Sequence, residues 1–200
     1  MQNILVEKAK KIKLVLTDVD GVLTDASMNF FATPDGHVVE VKKFCAYDSI
    51  AFHMLRDFGI RTGIITGGNA RATEFRAKTL GMDFLYYNFI TKLPPLEDIL
   101  MKTNLREDQV AFIGDDLIDL PVLTRVGLAC CVSNAREEVK KVCHYITKAP
   151  SGAGAFREVT ELVLKSQDFW GEVLAKANFG EIGLSLKKDP VLVDFKKWKL

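Results

Sequence analysis

Two carboxylates stand two residues apart in the run Asp18-Val19-Asp20-Gly21-Val22-Leu23-Thr24-Asp25. On an extended backbone, residues i and i+2 project to the same side, and Gly21 permits a sharp turn directly afterwards. A second acidic run, Gly114-Asp115-Asp116-Leu117-Ile118-Asp119, lies far downstream. If the elements carrying the two runs end side by side, Asp18, Asp20 and Asp115 surround one point, with Asp119 as a further member. Carboxylates gathered in this way repel one another unless a cation sits among them. A few aspartate oxygens that leave positions open for water and phosphate suit Mg²⁺, which keeps an octahedral shell. Single aspartates at strand ends commonly cap helices or make turns. The ordered combination of both runs is what points to chemistry.

Two further polar residues complete the pattern. Thr66-Gly67-Gly68 follows an apolar run and offers a hydroxyl and backbone N–H groups to an anion. Lys92 precedes Leu93-Pro94-Pro95 at the start of a helical pattern. A cation is disfavoured at a helix N-terminus, so a phosphate or carboxylate partner accounts for it there. Taken alone, each also reads as a turn threonine and a solvated lysine.

The elements that must position these residues alternate in type. Ile12 to Thr17, Arg61 to Thr66, Asp83 to Tyr87, Gln109 to Ile113, Leu128 to Val132 and His144 to Thr147 read as short buried strands. Ala46 to Phe58, a segment from an Asn69 cap to Leu80, Pro95 to Thr103, Asp119 to Val126, Ala135 to Val142 and Ala155 to about Lys165 read as helices. Met28 to Phe31 and His37 to Lys43, joined by Thr33-Pro34-Asp35-Gly36, read as a hairpin. The expected fold is α/β: a three-layer, Rossmann-like parallel sheet with a β-hairpin insertion after the first strand. In such sheets ligands bind beyond the carboxyl ends of the strands, which is where each of these motifs falls. The expected organisation is one hydrolase-like domain over residues 1–165, with the hairpin at about 27–43, and a helix-and-tail extension over 166–200. Phe169 to Ala177 reads as a further helix. The remaining tail, with Val191, Leu192, Val193, Phe195 and Trp198 among lysines, is expected to pack on the body or on a neighbouring subunit.

Composition sets the outer limits. The chain has 200 residues, 48% of them hydrophobic, with 27 Lys+Arg against 26 Asp+Glu and a net charge of +1. That is ordinary globular composition, and it gives no global field to draw nucleic acid or an acidic membrane. Cys45, Cys130, Cys131 and Cys143 form no CxxC pair. They read as thiols in a reducing compartment rather than as disulfides or a zinc site. No segment approaches the ~18 apolar residues of a membrane span, and the N-terminus has no secretory h-region. The expected location is the cytoplasm.

In their order, Asp18-x-Asp20-Gly21-Val22, Thr66-Gly67, Lys92 and Gly114-Asp115-Asp116-x-x-Asp119 resemble the four motifs of the haloacid dehalogenase superfamily. The resemblance implies a Mg²⁺-dependent phosphatase. Asp18 would attack phosphorus, and Asp20 would protonate the leaving oxygen and then activate water. Thr66, Gly67 and Lys92 would hold the phosphoryl oxygens. Asp18, the Asp20 backbone carbonyl and Asp115 would bind the metal, with Asp116 and Asp119 in support. These roles accord with covalent, acid–base and electrostatic catalysis.

The short spacings from Asp25 to Ala46 and from Thr66 to Lys92 leave no room for a large cap domain. With Phe44-x-x-x-Asp48 and Gly152-x-Gly154-Ala155-Phe156-Arg157-Glu158, the chain resembles the 3-deoxy-octulosonate 8-phosphate phosphatases over about residues 11–165. That resemblance implies a small sugar-phosphate substrate, no nucleic-acid or membrane partner, and a cytoplasmic homotetramer whose hairpins meet between subunits. Phe30, Phe31, Val39 and Val41 would suit such a contact.

The chain departs from that pattern in carrying Tyr47, Gly68 and Ala153 where arginines are usual, and Ser49 where glycine is usual. Asp48-Ser49 and Gly68 look closer to phosphatases of nonulosonate 9-phosphates. Asp48, Arg71, Arg76 and Arg157, together with Lys43, are the remaining candidates to meet substrate. Besides the same chemistry on another small phosphate ester, such as a different sugar phosphate, two other readings compete: a non-catalytic oligomerisation domain of a sugar-nucleotide pathway, and a receiver-type signalling domain. Intact catalytic positions weigh against the first. The second needs an aspartate after the third strand, where this chain has Tyr87-Asn88.

Overall fold

The structure, a computed structural model, describes residues 2–69, 71–183 and 190–197. After helix α1 (Gln2–Ala9), the chain enters strand β1 (Leu14–Thr17), whose four residues are all buried. The hairpin follows as β2 (Asn29–Ala32) and β3 (Val38–Val41). Then come α2 (Ala46–Asp57), β4 (Arg61–Ile65), α3 (Arg71–Leu80), β5 (Phe84–Tyr87), α4 (Leu93–Thr103) and β6 (Val110–Gly114). The chain continues through α5 (Leu120–Leu123), β7 (Leu128–Cys131), α6 (Glu137–Val142), β8 (Tyr145–Ile146), α7 (Ala155–Ser166), α8 (Trp170–Asn178) and β9 (Val191–Asp194).

Among the described residues, seven strands form one parallel sheet in the order β8-β7-β6-β1-β4-β5-β9, flanked by helices, and β2 and β3 pair separately. The expected α/β architecture with its inserted hairpin is what the chain adopts. Apolar runs without alternation, such as Leu14-Val15-Leu16 and Ala111-Phe112-Ile113, suit strands covered on both faces. β1 is central, and its neighbours β4 and β6 belong to opposite wings of the sheet. Register places Thr17 opposite Ile64 on one side and Ile113 on the other. The residues just past these three strand ends therefore converge at the topological switch point.

Several elements differ from the sequence reading. The segment expected as one helix from Asp119 to Val126 is a 3-10 turn, Leu117–Asp119, followed by the single turn α5. Asp116 and Asp119 form a capping box on that turn, and Pro121 lies in the first turn of α5. α4 begins at Leu93 with Lys92 as its N-cap, so its start lies beside the lysine rather than at Pro95. An Asn69 cap on α3 would involve residue 70, which lies outside the described residues. The tail packs on the body as β9, which pairs with β5 from Phe84↔Val191 to Tyr87↔Asp194 and so covers an otherwise open sheet edge. Phe195 meets Phe89 edge-on at 5.2 Å between ring centroids. Trp198 lies outside the described residues. α7 packs on α2 through stacked Phe52 and Phe156, 4.0 Å apart, and Phe169, just before α8, stacks on Phe58.

The hairpin stands apart from this core. Phe30 and Phe31 are 61% and 60% exposed, and Val38, Val39 and Val41 are also open. An isolated two-stranded hairpin is marginal in water, and this one presents apolar side chains on both faces.

Candidate active site

Asp18 follows β1 and is buried, with its backbone N–H bonded to the Ile113 carbonyl. Its Oδ1 accepts from the Val19 N–H at 2.7 Å, and its Oδ2 lies 2.8 Å from Lys92 Nζ. Lys92 is wholly buried and also reaches Asp119 Oδ1 at 2.5 Å. Asp119, equally buried, accepts from the backbone N–H groups of Asp115 and Asp116 through Oδ2, at 2.9 and 3.2 Å. One lysine thus ties the end of β1 to the loop after β6. It stays charged there because a buried ammonium paired with two carboxylates is compensated. Burial works against the cation, but Asp18 and Asp119 outweigh it and hold its pKa above the ordinary lysine value.

The carboxylates feel the opposite pressure. Burial above all, opposed by Lys92 and reinforced by Asp119, pushes Asp18 up to about 6. Burial, followed by the charges of Asp18 and Asp119, pushes Asp115 up to about 8. Oxygens of Asp18, Asp115 and Asp119 lie within 4.8 Å of one another. Among the described residues, Asp115 Oδ1 is buried without any hydrogen-bond partner. A buried, unpaired carboxylate oxygen beside two more carboxylates is the donor set a hard divalent cation requires. The residues present therefore fit Mg²⁺. Gly21, at φ +100°, makes the arrangement possible: a Cβ there would overlap the Asp115 carboxylate.

Thr66, just past β4, is buried, and its Oγ1 accepts from the Gly68 N–H at 3.1 Å. Its backbone is held by the Tyr86 carbonyl and the Phe89 N–H. Gly67 and Gly68 lead away from it. A Cβ placed on Gly68 would stand 3.1 Å from Asp20 Oδ2 and 3.6 Å from Thr66 Oγ1. Asp20, Thr66 and Gly68 therefore border the same space.

The structure brings Asp18, Asp20, Thr66, Gly67, Lys92, Asp115 and Asp119 to one end of the sheet. Asp116 turns outward, accepts from the Leu117 N–H and is about half exposed. Among the substrate candidates, Arg71 lines a cleft of about 680 Å³ with Asn69, Phe30 and Glu40. Asp48 is buried instead. Its Oδ1 accepts from the Arg157 backbone N–H at 2.9 Å, its Oδ2 has no partner among the described residues, and burial pushes its pKa to about 6. Arg157 pairs with Glu161, while Arg76 bonds Ser49 Oγ and lies over the Phe44 ring. Lys43 is exposed. Asp48 and Arg76 brace α2 against α7 and α3. Sequence reasoning missed Lys42, whose Nζ reaches Asp20 Oδ1 at 2.5 Å and Glu40 Oε1 at 2.7 Å. The alternation Val39-Glu40-Val41-Lys42 carried the signal, because an extended chain sets Glu40 of β3 and Lys42, one residue past its end, on the same side.

A parallel α/β sheet with a lysine-bridged aspartate cluster at its switch point defines a metal-assisted phosphoryl-transfer site. Residues 81–158 match the haloacid dehalogenase-like hydrolase family. The 3-deoxy-D-manno-octulosonate 8-phosphate phosphatase of Yersinia pestis is 38% identical over 164 residues, 82% of this chain and 86% of that protein. The Escherichia coli K12 enzyme of the same name is 37% identical, over 82% of this chain and 85% of its own. The crystal structure of the Moraxella catarrhalis phosphatase, in complex with magnesium, phosphate and the KDO molecule, superposes with a TM-score of 0.83. It is 35% identical, and the match covers 88% of this chain and 99% of that one. The chain belongs to the haloacid dehalogenase-like hydrolases, in the family of the 3-deoxy-D-manno-octulosonate 8-phosphate phosphatases.

Proposed function

We propose that this protein hydrolyses the phosphate monoester of a 3-deoxy-ulosonate sugar, 3-deoxy-D-manno-octulosonate 8-phosphate, with Mg²⁺ as cofactor. The observation that carries the reading is the buried Asp18–Lys92–Asp119 bridge beside the unpaired Asp115 Oδ1. It supports reading Asp18 as a nucleophile, Lys92 as a fixed cation and Asp115 as part of a metal seat at one strand-end crevice. A carboxylate oxygen of Asp18 attacks phosphorus as the phosphorus–oxygen ester bond breaks, and Asp20 gives its proton to the departing sugar oxygen. Asp20 then takes a proton from water, whose oxygen displaces Asp18 from the aspartyl phosphate and releases inorganic phosphate. Thr66 Oγ1, the Gly67 backbone and Lys92 hold the phosphoryl oxygens, and Asp119 orients Lys92. Asp18, the Asp20 backbone carbonyl and Asp115 would hold Mg²⁺, with Asp116 in support. When bound, the metal would supply charge neutralisation at the phosphoryl oxygens.

Asp48-Ser49 and Gly68, which look closer to the phosphatases of nonulosonate 9-phosphates, favour such an ester as the second reading. Phosphate release from octulosonate 8-phosphate, nonulosonate 9-phosphate and hexose phosphates separates the two. The octulosonate ester is expected to have the highest kcat/KM, by about tenfold or more. A preference for the nine-carbon ester would transfer the assignment, and failure on the whole panel would remove it.

The exposed apolar hairpin supports a homotetramer joined through β2 and β3. Light scattering is expected to give about four times the 22.3 kDa chain mass, whereas a monomer would rule the assembly out. No described helix is long and apolar enough to cross a membrane. The four unpaired cysteines suit a reducing compartment, and we assign the protein to the cytoplasm.

A further inference from the structure

Lys42 lies immediately past β3, and its side chain is only 4% exposed. Taking an ammonium out of water is unfavourable unless it is paired, and here the partners are Asp20 at 2.5 Å and Glu40 at 2.7 Å. Both contacts to Asp20 from its surroundings fall on one oxygen: Oδ1 accepts from Lys42 Nζ and, at 3.3 Å, from Thr24 Oγ1. Among the described residues Oδ2 has no hydrogen-bond partner. It faces Gly68, where the missing side chain leaves the space open. Lys42 Nζ borders that same space, 4.0 Å from where a Gly68 Cβ would stand. The Asp20 side chain is itself 38% exposed, so packing alone does not hold its rotamer.

From this geometry we infer that Lys42 is a positioning residue for the reaction: it anchors Asp20 through Oδ1 so that Oδ2 is the oxygen presented to the departing sugar oxygen. The inference rests on the phosphatase reading above and deepens it. A general acid must stand within hydrogen-bond reach of the atom it protonates, and a lost anchor spreads the carboxyl over unproductive orientations. Glu40 fixes the lysine in turn. The anchor is carried by the inserted hairpin, so the orientation of the hairpin and that of the acid are linked.

The test is the leaving group. An alkoxide leaving a sugar phosphate needs a proton, whereas the nitrophenolate leaving p-nitrophenyl phosphate does not. kcat/KM reports the steps up to that departure, so the later hydrolysis does not enter. Wild type, Lys42→Met and Lys42→Arg are compared on 3-deoxy-D-manno-octulosonate 8-phosphate and on p-nitrophenyl phosphate, each with Mg²⁺. The expected result for Lys42→Met is a loss in kcat/KM for the sugar phosphate that exceeds the loss for p-nitrophenyl phosphate by about 10–100-fold. Lys42→Arg is expected to recover most of the difference. Equal losses on both substrates, or no loss on either, would overturn the positioning role. If wild type turns over neither ester, the phosphatase reading itself fails, a result distinct from any pattern among the variants.

Discussion

The Asp18→Asn protein is expected to fold as wild type does and to lose turnover by roughly 10⁴-fold or more. Asparagine matches aspartate in shape, so its amide oxygen still accepts from the Val19 N–H, and Lys92 keeps Asp119 as a partner. The substitution turns the amide NH2 toward the Lys92 ammonium and so loses the Asp18–Lys92 pair, but it also removes one of three mutually repelling carboxylates, which limits the destabilisation. An amide has no anionic oxygen with which to attack phosphorus, so the covalent route is closed. The measurement is steady-state phosphate release together with a thermal melt. A variant that melts like wild type but retains turnover within tenfold would remove Asp18 as the nucleophile. A variant that fails to fold would place the residue in the framework instead.

Metal removal is the second large effect. With EDTA, turnover is expected to fall by roughly 10³–10⁴-fold, equivalent to about 4–5.5 kcal/mol of transition-state stabilisation, and excess Mg²⁺ should restore it. A folding signature accompanies the loss. Asp18 and Asp115 have folded-state values raised to about 6 and about 8, above the ordinary carboxylate value of 3.8. A raised acid binds more protons in the folded state than in the unfolded one. Its favourable contribution is complete below the ordinary carboxylate range and is lost as pH rises through about 6 and then about 8. The metal-free protein is therefore expected to lose melting temperature between about pH 5 and about pH 8. The gain from Mg²⁺ should be larger at the upper end, where the carboxylates are ionised and free to bind it. A melting temperature indifferent to Mg²⁺ at both pH values, with EDTA leaving turnover intact, would contradict the metal site.

Much of this site is legible in the chain because its residues follow strand ends, and a short apolar run that stops at a polar residue marks such an end. Asp18, Thr66 and Asp115 stand directly after such runs, and the parallel order then brings them together. Lys92 is legible from the prolines that begin α4. What each charge touches is less so. Asp48, Arg76 and Arg157 carry charge in the sequence, but the packing of α2, α3 and α7 turns them onto one another and onto Ser49, Phe44 and Glu161. Lys42 and Lys43 are indistinguishable by composition, and only the period of β3 turns the first toward Asp20. β9 is a four-residue segment whose strand state depends on the open edge of β5, a tertiary circumstance that no local pattern encodes. Asp116 and Asp119 share one motif, yet the first caps a turn in solvent while the second is buried under Lys92.

The most direct measurement of the central claim is mass analysis of protein quenched in acid during turnover of the sugar phosphate with Mg²⁺. The account predicts a gain of one phosphoryl group on the peptide that contains Asp18, lost on treatment with base and absent from Asp18→Asn. A phosphoryl group on another residue, or turnover with no phosphorylated peptide under conditions that preserve acyl phosphates, would contradict it.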